Sequence, residues 1–387
     1  MILKGTADPR FAPVRDAFAA GFDNGSEVGA GVCVYLHGEP VLELWGGQAD
    51  SGSGREWEQS TLVPLASVTK TLLATMVLMT AQSDGLKLDL PISHLWPQFG
   101  TLGKEEITLE HALAHRAGIP AFDRPVTLQE QIDRTPILDQ LAGLRPVWRP
   151  GTAHGYHAIT LGFLLTEVLR RATGSSEQPL ARELISGPLA ADLHIGLAEE
   201  DLRRLAVTIP PADEYGRDDP RFAEFAAQVE DPSSLFYRST FGSSAMSFQD
   251  MNDPRYQMLE RPAGGYATAG AVARFFAALI GGVDGVRLLA PEWTDRARRP
   301  RSGGIDQVWR LETTWGLGFL LPGGPLWLDL GEQAFGHIGS TGALAFADPE
   351  YDLAFAYLPN RMRSVYELPD RRAWQLVKAV YAAVKAE

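Results

Sequence analysis

The chain predicts an α/β fold, an antiparallel sheet flanked by helices, with an all-helical domain inserted into it. Three observations point there. Strand-like runs alternate with helices before residue 85, and the same texture returns after about residue 314. Between 86 and 195 the periodicity is helical and strand signal is scarce. The run 71–79 is apolar on nearly every side, so its helix belongs in the middle of a domain rather than on a surface. The expected division is an α/β domain from 1–85 and 196–387, a helical domain over 86–195, and a site in the cleft between them. A length of 387 residues is long for one core and also favours two lobes.

Residues 9–22 carry an amphipathic helix with Phe11, Val14, Phe18 and Phe22 on one stripe. Runs 31–36 and 41–45 read as strands joined by the turn His37-Gly38-Glu39-Pro40. After a Gly/Ser-rich loop at 46–54 comes Pro64, whose fixed φ and missing N–H bar a helix from extending upstream. From Ser67 nothing interrupts a helix until Asp84-Gly85. Segments 105–117, 125–143 and 158–173 have helical periodicity, divided by punctuation such as Arg149-Pro150-Gly151. The stretch 196–255 is polar and mixed and predicts long loops. A helix over 268–280 precedes Gly281-Gly282. Strand patterns return at 315–320, 343–346 and 353–358, the last two joined by the turn Asp348-Pro349-Glu350-Tyr351. A helix over 370–385 closes the chain.

A formal net charge of −13 argues against nucleic acid and anionic membranes as partners. Cys33 is the single cysteine, so no intrachain disulfide forms and no oxidising compartment is implied. The N-terminus has no apolar core of signal-peptide length, and no run reaches the roughly 18 apolar residues of a membrane span. The expected location is the cytoplasm. The expected partners are a small-molecule substrate and, as an open option, a second copy of the chain.

Chemistry is concentrated in three stretches. In Ala66-Ser67-Val68-Thr69-Lys70, Ser67 and Lys70 are three apart and share one face of the first turn. A hydroxyl there feels the positive end of the helix dipole beside unpaired N–H groups. Burial disfavours a charged lysine, so Lys70 can take the serine proton. The second stretch, Pro150-Gly151-Thr152-Ala153-His154-Gly155-Tyr156-His157-Ala158, runs into a helix; Tyr156 can act as acid or base if a nearby lysine lowers its pKa, or can simply pack a helix start. The third, Phe335-Gly336-His337-Ile338-Gly339-Ser340-Thr341-Gly342, lies just ahead of a strand. Its glycines admit close approach of a substrate, and a backbone N–H there can complete an oxyanion hole with that of Ser67; equally, they can relieve crowding or mark a bulge.

Taken together, Ser67-x-x-Lys70, Tyr156-x-Ala158 and His337-Ile338-Gly339 resemble the serine β-lactamase and penicillin-binding-protein superfamily, whose motifs are Ser-x-x-Lys, Tyr-x-Asn and Lys-Thr-Gly. The likeness extends through 88–92, 111–120 and 263–269. It implies a β-lactamase-like fold, Ser67 as the acylated nucleophile, Lys70 as its base partner and Tyr156 as the proton relay. It places His337 and Gly339 in the third motif, and the N–H groups of Ser67 and Ser340 at the oxyanion. Two departures bear on substrate. Ala158 replaces the asparagine that contacts an amide, and His337 replaces the lysine that helps hold a β-lactam carboxylate. This combination is similar to the family VIII carboxylesterases, and a related fungal acyltransferase shares the architecture.

The expected activity is therefore that of a serine carboxylesterase acting on short-chain esters through an acyl-enzyme, with no cofactor and no metal. The rivals are acyl transfer to an alcohol, a weak β-lactamase or D-amino-acid peptidase, and a catalytically silent relative used for binding. No Gly-x-Ser-x-Gly occurs, which argues against a nucleophile elbow. His111 and His115 have the spacing of two zinc ligands, but Ala112 stands where a metalloprotease needs glutamate, so they read as helix-end hydrogen-bonding groups. With His337 in place of lysine, Tyr156 is expected to depend mainly on Lys70 for electrostatic help.

Overall fold

The structure, a computed structural model, describes residues 3–245, 247, 249–327 and 330–386. In chain order its strands are β1 (Lys4–Ala7), β2 (Gly29–Leu36), β3 (Glu39–Asp50), β4 (Arg55–Glu56), β5 (Val63–Pro64), β6 (Leu193–Ile195) and β7 (Gly265–Ala267), followed by β8 (Ser302–Ile305), β9 (Glu312–Trp315), β10 (Leu320–Leu321), β11 (Phe335–Ile338), β12 (Leu344–Asp348) and β13 (Leu353–Pro359). The main sheet is antiparallel and runs β1-β3-β2-β13-β12-β11-β10-β9-β8, with β4 paired to β3. N-terminal and C-terminal strands meet where β13 pairs β2, Phe355 opposite Val34.

Both faces of the central strands are covered, and the two-residue alternation of a strand sorts the side chains between them. On β2, Val32 and Val34 join the core beneath the helices Ala12–Asp23 and Arg371–Lys385, while Cys33 and Tyr35 face the opposite core. On β13, Phe355 and Tyr357 go one way, and the small Ala354 and Ala356 go toward the helix Ala269–Ile280. These strands read as continuous apolar runs because neither face meets water.

The second core contains the helix Thr69–Gln82, buried over nearly its whole length. Gly318, at φ 84°, lets a neighbouring turn approach it: a Cβ there would lie 2.3 Å from that of Ala74. Between 86 and 192 the elements are short helices joined by loops, the longest being Thr160–Thr173, which belongs to this core, and the strand β6 follows at Leu193–Ile195. A small sheet, β5-β7-β6, sits at the entrance to the Ser67 helix.

Several elements differ from the sequence reading. Within 105–117 only Leu109–Leu113 is helical, because the chain turns at His115 (φ 58°) and Gly118 (φ 80°). The expected strand at 315–320 is two short strands, β9 and β10, separated by Gly316 and the positive-φ Gly318. Residues 335–338 are themselves a strand rather than its approach. The stretch 196–255 holds the helices Ala223–Glu230 and Leu235–Thr240, whose Phe225, Val229 and Phe236 join the core. Their apolar stripes are too short to stand out in a polar sequence. Among the described residues no helix is long and apolar enough to cross a membrane.

Candidate active site

Ser67 lies in a 3-10 turn, Ala66–Val68, that feeds directly into the helix Thr69–Gln82. Ala66 holds φ at 45°, a left-handed conformation that costs a non-glycine residue about 1 kcal/mol. The surroundings impose it. Leu65 N donates to Gly265 O (2.8 Å), and Gly265 N donates back to Thr69 Oγ1 (3.2 Å). β7 thereby clamps the turn that presents the hydroxyl.

Lys70 Nζ donates to Ser67 Oγ at 3.0 Å. The lysine is 2 % exposed and has no carboxylate partner among the described residues. Loss of hydration disfavours the ammonium and lowers its pKa to about 7. A neutral amine beside a serine hydroxyl is a proton acceptor.

Tyr156 is buried in the loop before the helix Thr160–Thr173, with its ring on those of Trp309 (4.4 Å between centroids), Trp315 (5.5 Å) and His115 (4.9 Å). Lys70 Nζ sits 5.2 Å from the centre of the same ring. The loop is fixed through its backbone: Tyr156 N donates to Asp306 Oδ1 (3.2 Å), which also accepts from Val308 N and Trp309 N at 2.8 Å. Asp306 is fully buried, and desolvation raises its pKa to about 6 despite these donors. Desolvation also pushes the Tyr156 phenol far above its ordinary range. Its hydroxyl makes no hydrogen bond of good geometry among the described residues, although the Ser67 side chain lies near enough to favour the phenolate. The cation that favours the phenolate is Arg363, not Lys70 as expected from sequence. Arg363 is anchored by Glu367 O (2.7 Å) and Ser364 O (2.9 Å).

The third stretch closes the site. β11 ends against the Ser67 turn: a Cβ on Gly339 would lie 2.8 Å from Leu65 O, and Thr341 Oγ1 reaches Pro64 O at 3.3 Å. A side chain at 339 would therefore push the strand end away from the Ser67 turn. Gly339 N is taken by Ala343 O (2.7 Å), whereas Ser340 is exposed and its N–H meets no acceptor among the described residues. His337 is wholly buried, its ring 5.8 Å from that of Tyr156 and 5.5 Å from that of Trp315. Its Nδ1 contacts Ile338 O at 2.6 Å, and Nε2 has no partner among the described residues. The carbonyl must accept, so Nδ1 carries the proton and Nε2 is a bare acceptor. Burial and the nearby Lys70 lower its pKa to about 3.

The sequence reading missed part of this wall. His115 follows the C-cap Ala114 of Leu109–Leu113 and hydrogen-bonds as expected, but it also belongs to this wall: its Nδ1 accepts from His157 N (3.0 Å) and its ring centroid lies 4.3 Å from that of Trp315. His157 in turn accepts the Ile119 N–H at Nε2 (3.0 Å), and burial lowers its pKa to about 4. Trp309, Trp315 and Arg363 carry no local pattern. Asp306 offers a weak signal, an aspartate accepting N–H groups two and three residues on.

A half-buried Ser67 beside a buried Lys70, the Tyr156 ring near that lysine and a glycine-relieved strand end are brought together here. The beta-lactamase family model matches residues 14–379. The chain belongs to the beta-lactamase family. It is 31% identical over 381 residues to Esterase/beta-lactamase LipL of Mycobacterium tuberculosis, covering 95% of this chain and 85% of that protein. Among solved structures it is similar to a family VIII carboxylesterase (TM-score 0.88, 30% identity, 99% of this chain and 100% of the other). It is also similar to a penicillin-binding protein homologue from Caulobacter crescentus (TM-score 0.86, 32% identity, 99% and 100%). Membership of this family makes the chain a serine hydrolase.

Proposed function

We propose that this serine hydrolase is a carboxylesterase that cleaves short-chain esters through a covalent acyl-enzyme on Ser67. The observation that carries the reading is the 3.0 Å contact between Ser67 Oγ and a Lys70 whose amine is half deprotonated near pH 7. Lys70 takes the hydroxyl proton as Oγ attacks the ester carbonyl. The backbone N–H groups of Ser67 and Ser340 hold the oxyanion. Tyr156, kept as a neutral phenol by burial, passes the proton to the leaving alkoxide. Water then attacks the acyl-enzyme, and the same groups return Ser67 to its starting state.

Selection of esters over β-lactams rests on Ala158 and His337. Alanine has no amide to hold a lactam side chain, and a neutral His337 offers no charge to a lactam carboxylate. A site lacking such partners discriminates by several powers of ten in favourable cases. The test is a fluorophosphonate label with peptide mapping, beside hydrolysis of p-nitrophenyl esters of increasing length and of nitrocefin. Labelling at Ser67 with short esters far ahead of nitrocefin is the expected result. Labelling elsewhere, or equal turnover of nitrocefin, overturns the reading.

A further inference from the structure

Two arginines are buried among the described residues, and they are built differently. Arg372 is ion-paired with Asp370 (2.7 Å) and Glu27 (3.2 Å). Arg261, 4 % exposed, has no carboxylate within 4 Å among the described residues. Its Nε donates to Tyr256 O (3.3 Å) and its Nη2 to Tyr266 OH (3.2 Å), and its plane lies 3.5 Å from the centre of the Tyr256 ring. Gly264 leaves room for its stem, since a Cβ there would meet Arg261 Cγ at 2.6 Å. Stacking and two hydrogen bonds hold the guanidinium rigid while Nη1 and one Nη2 proton remain without partners among the described residues. A buried cation without an anion is costly, and proteins ordinarily pair it.

Arg261 lines the same cavity as Lys70, together with Gln131, Ala158 and Phe163. Its volume is about 40 Å³, room for a group the size of a carboxylate and not for a long alkyl chain. The cavity opens beside the amine that activates Ser67, so a substrate whose carbonyl sits on Ser67 can reach Arg261 with a short tail. We propose that Arg261 is an anion-binding subsite, and that the favoured substrates are short half-esters of dicarboxylic acids whose free carboxylate pairs with it. This rests on the carboxylesterase reading above. It also reconciles an acidic protein with an acidic substrate: the net charge of −13 repels at long range, and one fixed arginine supplies recognition at contact.

The test compares monomethyl glutarate with methyl valerate, which matches its chain length but lacks the charge, by proton release in the wild type, Arg261→Gln and Arg261→Lys. In the wild type, kcat/KM for the glutarate ester should exceed that for the valerate by about tenfold or more. Arg261→Gln should lower this ratio at least about tenfold, and Arg261→Lys should retain part of it. Calorimetry of glutarate binding to Ser67→Ala, with and without Arg261→Gln, reads the subsite without turnover. Cleavage of both esters at one rate, a ratio unmoved by Arg261→Gln, or no glutarate binding overturns the subsite. Glutarate binding that Arg261→Gln abolishes, with neither ester cleaved, instead keeps the subsite and overturns the carboxylesterase reading.

Discussion

Lys70 and Lys104 are both buried, at 2 % and 0 % exposure, and they are solvated in opposite ways. The Lys104 ammonium donates to three main-chain carbonyls, Leu144 O (2.6 Å), Ala142 O (2.9 Å) and Thr101 O (2.9 Å). All three donors of the ammonium are used, and the lysine ties the 101–104 turn to residues 142–144. Among the described residues Lys70 has one polar contact, the Ser67 hydroxyl, and otherwise faces the Tyr156 ring. Burial lowers both pKa values, that of Lys70 to about 7. The difference teaches that a buried lysine becomes a base when its protons are left unsatisfied, and a structural rivet when they are not.

The sharpest break between the two is catalytic. Ser67→Ala and Lys70→Met should each lower kcat roughly a thousandfold or more, and the double variant should be hardly worse than the poorer single, since such groups act as one unit. Lys104→Met should leave kcat of the folded protein nearly unchanged. Equal losses at the two lysines would erase the distinction. Tyr156→Phe should cost less than the serine, about ten- to a hundredfold, because it removes one proton transfer and leaves the Ser67–Lys70 pair. Full activity in Tyr156→Phe would remove it from the mechanism.

Stability should move in opposite directions. Lys104→Met strands three carbonyls and should destabilise by about 3 kcal/mol in urea unfolding. Lys70→Met removes a group that folding forces toward neutrality and should stabilise by about 2–4 kcal/mol at pH 7.5. The pH dependence of stability follows the same logic. Unfolded Lys70 titrates near 10.5 and folded Lys70 near 7. Between those values the unfolded chain holds the extra proton. This group therefore makes stability rise with pH by about 1.4 kcal/mol per unit over that window, and the gain is absent below pH 7. Lys70→Met should flatten that slope.

The smallest effects concern pH and His337. kcat/KM should rise with pH through about 7 as Lys70 loses its proton. His337, neutral above about pH 4, should add no second inflection, so His337→Asn should lower kcat modestly and leave the profile's midpoint in place. A midpoint that moves with His337 would assign the titration to the wrong residue.

The stretches that the fold brings together at Ser67, Lys70, Tyr156 and Gly339 stood out in the chain because each is short and carries a local signal: three residues on a helix turn, a proline before it, glycines that admit close approach. The antiparallel sheet flanked by helices was legible for a related reason, since strand runs, turns and helical periodicity are local properties; that both faces of its central strands are covered was not. Tertiary packing decided the rest. His115, the 306–315 stretch that carries Asp306, Trp309 and Trp315, and Arg363 come from separate segments and meet only around Tyr156. Nor does spacing tell Lys70 from Lys104, or Arg261 from Arg372. Whether a buried cation is paired depends on which distant carbonyl or carboxylate the fold delivers to it, and desolvation exists only once the surrounding chain has closed over the charge.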